Sequence, residues 1–150
     1  VIAAAAILKD DYNVNADIWS VTSFNELRRE ALDVVRWNML HPTEPAKASH
    51  VENCLQGREG PVVAATDYMK IYADQIREFI PGHYRVLGTD GFGRSDTREK
   101  LRHFFEVDRF YITVAALKAL LEEGKISSEQ VVQAMRKYGI DPEKPNPVTV

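Results

Sequence analysis

The residues with the clearest chemical potential form a glycine-rich loop, Gly88-Thr-Asp-Gly91-Phe-Gly93-Arg-Ser-Asp96, between a strand-like run and a helix-like segment. The backbone N–H groups of such a loop, with the N-terminus of the next helix, can hold a small anion, and Arg94 would add positive charge. The spacing matches neither the dinucleotide-binding fingerprint nor the P-loop. Two interpretations therefore stay open, namely a small-anion site over Gly88–Gly93 and a tight loop whose glycines adopt positive φ.

Of these two interpretations, we expect the conformational one. Asp90 and Asp96 would repel a phosphate, whereas the Asp96 carboxylate can cap the following helix. Arg94 has acidic neighbours with which to pair. Functional loops of α/β proteins lie at the carboxyl ends of strands, so we predict that this loop faces another domain or subunit and binds no phosphate.

The remaining reactive side chains do not form a recognisable catalytic or metal-binding motif. His50 and Cys54 are four residues apart and can share a helix face, with His41 nearby in sequence. Zinc needs three or four ligands, and neither an HExxH motif nor a cysteine pair is present. There is no Gly-x-Ser-x-Gly nucleophile elbow, and Cys54 follows no nucleophile signature. We therefore predict no catalytic, cofactor-binding or metal-ligating residue in this chain.

Composition indicates one ordinary globular domain. The chain has 150 residues, of which 45% are apolar and 27% are charged, and its 19 basic and 22 acidic residues give a net charge of −3. This balance offers no electrostatic reason to bind nucleic acid or an anionic membrane. The single cysteine excludes an internal disulfide and fits a reducing compartment. No apolar run approaches the ~20 residues that span a bilayer.

The hydrophobic pattern predicts a small parallel sheet. Residues 16–21, 62–66 and 84–88 are short apolar runs of strand length. The last two enclose a helical segment, capped by Thr66 or Asp67, so we expect them to form a parallel pair. The fold class is therefore α/β, a small mostly parallel sheet flanked by helices.

The other helices follow from propensity and capping signals. The alanine-rich opening predicts one helix, and Ser23 with Glu26 marks the start of a second that ends at His41-Pro42. The C-terminal end is expected to be helical, with three helices capped by Asp96, Asp108 and Ser127. The last ten residues contain three prolines and are predicted to form an extended tail.

Five sequence segments, taken together, indicate a family resemblance. They are Trp19-Ser-Val-Thr-Ser-Phe24, Arg36-Trp-Asn-Met-Leu-His-Pro42, Thr66-Asp-Tyr-Met-Lys70, Tyr84-Arg-Val-Leu-Gly-Thr-Asp-Gly-Phe-Gly-Arg-Ser-Asp96 and Phe105-Glu-Val-Asp108. In this order they resemble the C-terminal domain of the homodimeric bacterial pyruvate dehydrogenase E1 component. The resemblance extends from near Val1 to the tail.

The resemblance implies a thiamine-diphosphate-dependent, transketolase-like enzyme that decarboxylates pyruvate and reductively acetylates the lipoyl group of dihydrolipoyl acetyltransferase. It implies a cytoplasmic homodimer whose thiamine diphosphate, Mg²⁺ and catalytic residues belong to two preceding domains. No catalytic residue is carried over to this chain. Residues 1–150 are then a transketolase C-terminal-like domain with structural and assembly duties. The competing hypothesis is a free-standing α/β module that binds a small anion through Gly88–Gly93.

The start of the chain departs from the family pattern. The family has a strand and a Gly-Ser-Gly turn before the helix that Val1 enters. We therefore expect the first strand to be missing and the chain to be a fragment of a longer E1 polypeptide.

Overall fold

The fold described here comes from a computed structural model that covers all 150 residues. Regular structure consists of seven α-helices, two strands and one 3₁₀ turn. In chain order, the elements are α1 (Ile2–Tyr12), α2 (Phe24–Leu40), α3 (His50–Leu55), β1 (Val62–Ala65), α4 (Lys70–Asp74), the 3₁₀ turn Arg77–Phe79, β2 (Tyr84–Leu87), α5 (Arg98–Phe104), α6 (Arg109–Glu122) and α7 (Ser128–Lys137). None of the helices combines the length and apolar character that crossing a bilayer requires.

The predicted parallel pair is confirmed. β1 and β2 run parallel, with Val62 opposite Tyr84 and Ala65 opposite Leu87, and α4 lies in the crossover between them. Each strand is one residue shorter than predicted. Apart from Arg85, the strand residues are aliphatic or aromatic, as expected for a parallel pair that is covered on both faces.

Helices cover the two faces of this small sheet. On one face, Val62, Ala64 and Val86 pack against a core that contains Ala31 of α2 and Ile76 from the crossover. Side chains of the opposite parity face α6, where Arg85 pairs with Glu122. A second core joins α1, α6 and α7 through Leu8, Leu117, Val131 and Ala134. The predicted α/β class with a helical C-terminal end is therefore correct.

The predicted strand over residues 16–21 is wrong. These residues form neither helix nor strand, and Ile18, Trp19 and Val21 are exposed. A strand exists only where its N–H and C=O groups pair with a neighbour, and the sheet contains only β1 and β2. The segment is held through side chains instead, because Arg58 bonds the Asp17 carboxylate at 2.8 Å and lies over the Trp19 ring.

The capping predictions divide into two groups. The Ser23 and Asp108 side chains accept hydrogen bonds from the first backbone N–H groups of α2 and α6, and Ser127 forms a capping box with Gln130, as predicted. The cap of α5 is Thr97, so the prediction for Asp96 is wrong. The prediction for Thr66 or Asp67 is also wrong, because α4 begins only at Lys70.

Candidate functional site

The candidate site lies at the carboxyl edge of the strand pair. Two segments leave the sheet there, the turn 66–69 after β1 and the glycine loop 88–96 after β2. The Thr89 N–H donates to the Tyr68 carbonyl at 2.9 Å, which ties the loop to the turn. A Cβ on Gly88 would lie 2.6 Å from that carbonyl oxygen and 2.9 Å from the Lys70 nitrogen. Glycine is needed at position 88 because two backbone segments approach each other closely.

Asp90 supplies the negative charge at the start of α4. Its two carboxylate oxygens lie 3.3 and 3.4 Å from the Lys70 backbone nitrogen, and the Lys70 ammonium lies 4.0 Å away. The side chain is 28% exposed, so the carboxylate is largely enclosed by the turn. A helix N-terminus attracts an anion, and here the protein's own loop provides it. An external phosphate would meet this carboxylate first.

The three glycines of the loop differ in backbone conformation and in the space around them. Gly91 has φ +115°, and a Cβ there would lie 2.6 Å from the Pro147 carbonyl oxygen of the C-terminal tail. Gly93 has no positive φ and has open space around its Cα. The expectation of positive φ is therefore correct at Gly91 and wrong at Gly88 and Gly93. Between Gly91 and Gly93, Phe92 is 74% exposed at the tip of the loop.

Arg94 does not pair with the acidic residues beside it, contrary to prediction. Its guanidinium lies 4.3 Å from the centroid of the Phe104 ring, and no carboxylate is within ion-pair distance. Asp96 accepts a hydrogen bond from the Thr97 N–H at 2.7 Å and lies 3.8 Å from the Lys100 ammonium. An aromatic face thus competes successfully for the guanidinium against exposed, well-solvated carboxylates.

A shallow, open cavity of about 410 Å³ adjoins these residues. Its lining comprises Arg94, Ser95, Asp96, Lys100, Leu101 and Phe104. Two basic groups and one carboxylate give this surface mixed charge, and its polar side chains are exposed. It is therefore a solvated surface cleft.

Asp67, in the turn that follows β1, forms an ion pair across the same edge. The Arg102 Nε donates to Asp67 Oδ1 at 3.2 Å, and a second guanidinium nitrogen bonds the other oxygen. These hydrogen bonds from Arg102 are the main reason that the pKa of Asp67 lies below its ordinary value. The pair joins the turn 66–69 to α5, so Asp67 connects two elements and caps neither.

The histidines and the cysteine form one close pair and no larger group. His50 Nε2 and Cys54 Sγ lie 3.5 Å apart, as expected for residues four apart on α3. His41 stacks on Trp37 with ring centroids 4.4 Å apart, and its Nδ1 lies 2.8 Å from the Trp37 carbonyl oxygen. No group of three or more His, Cys, Asp or Glu side chains converges in the structure.

Sequence reasoning missed the contacts that shape the loop. Asp90 meets Lys70 across 20 residues, and Pro147 meets Gly91 across a longer stretch of chain. Neither contact has a local sequence signal, because capping and turn motifs involve residues only two to four apart. The sequence indicated only that the tail is not helical, because it contains three prolines, and it did not indicate what the tail contacts.

The fold and this edge define an α/β domain in which a glycine loop follows a parallel strand and is filled by the domain's own side chains. Residues 1–108 match the Transketolase-like TK C-terminal domain family, and the chain belongs to that family.

Curated relatives match the chain over nearly its whole length. The chain is 59% identical over 150 residues, its full length, to the pyruvate dehydrogenase E1 component of Cupriavidus necator. It is 60% identical over 146 residues, 97% of the chain, to the protein of the same name from Pseudomonas aeruginosa, and 52% identical over 145 residues, 96% of the chain, to that of Escherichia coli K12. The chain spans 17% of the length of the first two relatives and 16% of the third.

Proposed function

We propose that residues 1–150 form one domain, the C-terminal transketolase-like domain of a pyruvate dehydrogenase E1 component. The observation that carries this proposal is the identity of 52–60% to proteins of that name over 96–100% of the chain. At that level of identity over nearly the whole chain, the relatives share this chain's fold. The chain would then be part of an enzyme that decarboxylates pyruvate and reductively acetylates the lipoyl group of dihydrolipoyl acetyltransferase.

Within that enzyme, we assign this domain to folding and dimer assembly. Three carboxylates in and around the carboxyl edge have internal partners: Asp90 bonds the start of α4, Asp67 bonds Arg102, and Asp108 bonds the start of α6. A general acid or base must be able to reach a substrate proton, and these groups are committed to internal partners. The exposed aromatic Phe92 and the apolar residues of α2 and α4 are suited to contacts with other parts of the enzyme.

Thiamine diphosphate and Mg²⁺ do not fit the residues of this chain. Mg²⁺ between protein and diphosphate needs carboxylate or amide oxygens that converge on one point, and no acidic cluster converges here. The glycine loop, where a diphosphate would be sought, presents the Asp90 and Asp96 carboxylates. We therefore place the cofactor, the metal and every catalytic residue elsewhere in the E1 polypeptide. We also propose that the enzyme is a cytoplasmic homodimer.

The small-anion module has no support from the comparisons. In its best element, the Gly88–Gly93 loop, the Asp90 carboxylate already lies at the N-terminus of α4.

Two measurements test the proposal. The native gene product, analysed by intact mass, should be several times longer than 150 residues and should decarboxylate pyruvate with thiamine diphosphate and Mg²⁺. Isothermal titration of the 150-residue chain with the same cofactor should show no saturable binding. A native product of 150 residues, or micromolar cofactor binding by this chain, would refute the assignment. Saturable phosphate shifts of the Gly91 and Gly93 amides, abolished by Arg94→Ala, would instead establish the anion module.

A further inference from the structure

The C-terminal tail returns to the glycine loop after α7. Residues 141–150 form no helix or strand and contain turns at Asp141–Lys144 and at Asn146–Thr149. Eight of these ten residues are exposed, whereas Lys144 is partly buried and Pro147 is buried. An extended, proline-rich segment has little reason to lie on a surface unless particular residues attach it. Lys144 and Pro147 are the two points of attachment.

Lys144 attaches the tail to the junction of α5 and α6. Its ammonium donates to the Phe104 carbonyl at 2.7 Å and to the Glu106 carboxylate at 3.0 Å. Only 19% of its side chain is exposed, and the ammonium lies 5.4 and 5.5 Å from the centroids of the Phe104 and Tyr111 rings. The ammonium thus satisfies a carbonyl at the end of α5 and pairs with a charge, which makes it a specific anchor.

The residue beside that anchor has an unusual backbone. Glu106 has φ +62°, a left-handed backbone conformation that residues other than glycine rarely adopt. In this conformation its carboxylate reaches the Lys144 ammonium. The left-handed residue also closes α5, because the Glu106 N–H donates to the His103 carbonyl at 3.2 Å and the Val107 N–H donates to the Arg102 carbonyl at 2.9 Å. Lys144 is therefore attached to a well-defined helix end.

Pro147 brings the tail into contact with the loop itself. Its carbonyl oxygen lies where a side chain on Gly91 would begin, 2.6 Å from the position of a Cβ, and the Val148 Cα is 3.2 Å from that position. Gly91 also has φ +115°. The tail backbone and the loop backbone therefore touch at a point where neither can move toward the other.

We propose that residues 141–150 are a strap that holds the Gly88–Asp96 loop, and with it the exposed Phe92, in one position. Lys144 is the fixing point of the strap, and Pro147 is the point at which it bears on the loop. The Asp90 contact with Lys70 holds the front of the loop, and the strap holds its middle. This proposal concerns the chain's own conformation and does not depend on the proposed enzyme.

Limited trypsin digestion of the full-length polypeptide tests the strap. Arg94 lies in the loop and Arg58 lies in an exposed loop elsewhere, so cleavage after Arg58 is an internal control. Lys144 precedes a proline and is not itself a trypsin site. Lys144→Met removes the ammonium and keeps the aliphatic stem, and we expect cleavage after Arg94 to become about tenfold faster while cleavage after Arg58 is unchanged.

Two further variants make the test decisive. Lys118→Met removes an exposed lysine that pairs with Glu122 at 3.6 Å, and it should leave both cleavage rates unchanged. Deletion of 142–150 should accelerate cleavage after Arg94 at least as much as Lys144→Met does. If the deletion leaves cleavage after Arg94 unchanged, the tail does not hold the loop and the proposal is wrong. If cleavage after Arg58 accelerates equally in either variant, the effect is general unfolding and the strap is likewise refuted.

Discussion

The Asp90 carboxylate lies 3.3 Å from the backbone nitrogen of Lys70, although 20 residues separate them in the chain. Lys70 begins the crossover helix α4, and Asp90 follows the strand β2 to which that crossover leads. The loop after the second strand thereby caps the helix that follows the first. No side chain from the residues immediately before α4 caps it, so this long-range contact replaces the local cap.

Asp90→Ala should loosen α4. The substitution removes the acceptor at its N-terminus, and the loss of an N-cap costs about 1 kcal/mol. Hydrogen exchange of the Lys70–Asp74 amides should quicken by about a factor of five, with β2 unaffected. Asp90→Asn, which retains an acceptor oxygen, should lose less. Asp96→Ala serves as the matched control because Asp96 does not cap a helix. Equal exchange in the Ala and wild-type proteins would contradict the capping role.

The loop glycines should differ in their tolerance of alanine. A Cβ at Gly88 would meet backbone atoms at 2.6 and 2.9 Å, which cannot move without displacing the turn 66–69. Gly93 has free space and no positive φ. We expect Gly88→Ala to lower the free energy of unfolding by more than about 1 kcal/mol and Gly93→Ala to leave it unchanged or raise it by up to about 1 kcal/mol. Denaturant midpoints of the two variants, measured side by side, check this order. The reverse order would mean that the loop backbone differs from the one described.

The sequence predicted those features whose physical cause is local. Ser23, Asp108 and Ser127 were identifiable as caps because their partners are two or three residues away. The strands Val62–Ala65 and Tyr84–Leu87 were identifiable because each is a short apolar run bounded by turn residues. The family was identified from several sequence segments in a fixed order, and the local hydrophobic pattern alone would not have identified it.

Features that depend on distant partners could not be predicted in this way. Residues 16–21 have strand-like composition, yet a strand needs a neighbour, and composition does not say whether one is present. The helix after β1 begins at Lys70 because its capping carboxylate comes from Asp90. The Arg94 guanidinium contacts the Phe104 ring and not the adjacent carboxylates, because the fold packs Phe104 beside it. The glycine loop was therefore recognisable in the sequence as a segment, while its contacts required the structure.

Asp108→Ala should destabilise the C-terminal helical layer. The Asp108 carboxylate accepts hydrogen bonds from the Phe110 and Tyr111 backbone N–H groups at 2.8 and 2.9 Å. Its side chain is 16% exposed, so water replaces the lost acceptor poorly. We expect a loss of about 1–2 kcal/mol, visible as faster hydrogen exchange in the first turn of α6. Asp108→Asn should recover most of that loss. An Asn variant as damaged as the Ala variant would show that charge, not capping, is what α6 requires.

Tyr84 should make the fold sensitive to high pH. Its side chain is 4% exposed, and its hydroxyl donates to the Ala73 carbonyl at 2.8 Å. Burial raises the pKa of Tyr84 from 10.0 to about 12, which favours the neutral phenol in the folded state. A group whose pKa is raised on folding contributes its full stabilisation below the unfolded value and loses it as the pH passes through the folded value. The contribution, roughly 2–3 kcal/mol for a shift of this size, should therefore disappear between about pH 10 and pH 12.

The measurement is the phenolate absorbance of the wild-type protein minus that of Tyr84→Phe between pH 8 and 13 (about the range in which phenols ionise). The difference isolates one phenol from the others, including Tyr111, whose pKa burial also raises to about 12. We expect a single step centred near pH 12, accompanied by loss of the hydrogen-exchange protection of β2 in the wild-type protein. Tyr84→Phe should keep its β2 protection to higher pH, because it has no proton to lose at that position. If the absorbance difference instead rises near pH 10, water reaches the Tyr84 hydroxyl. That result would contradict the burial of Tyr84 described above.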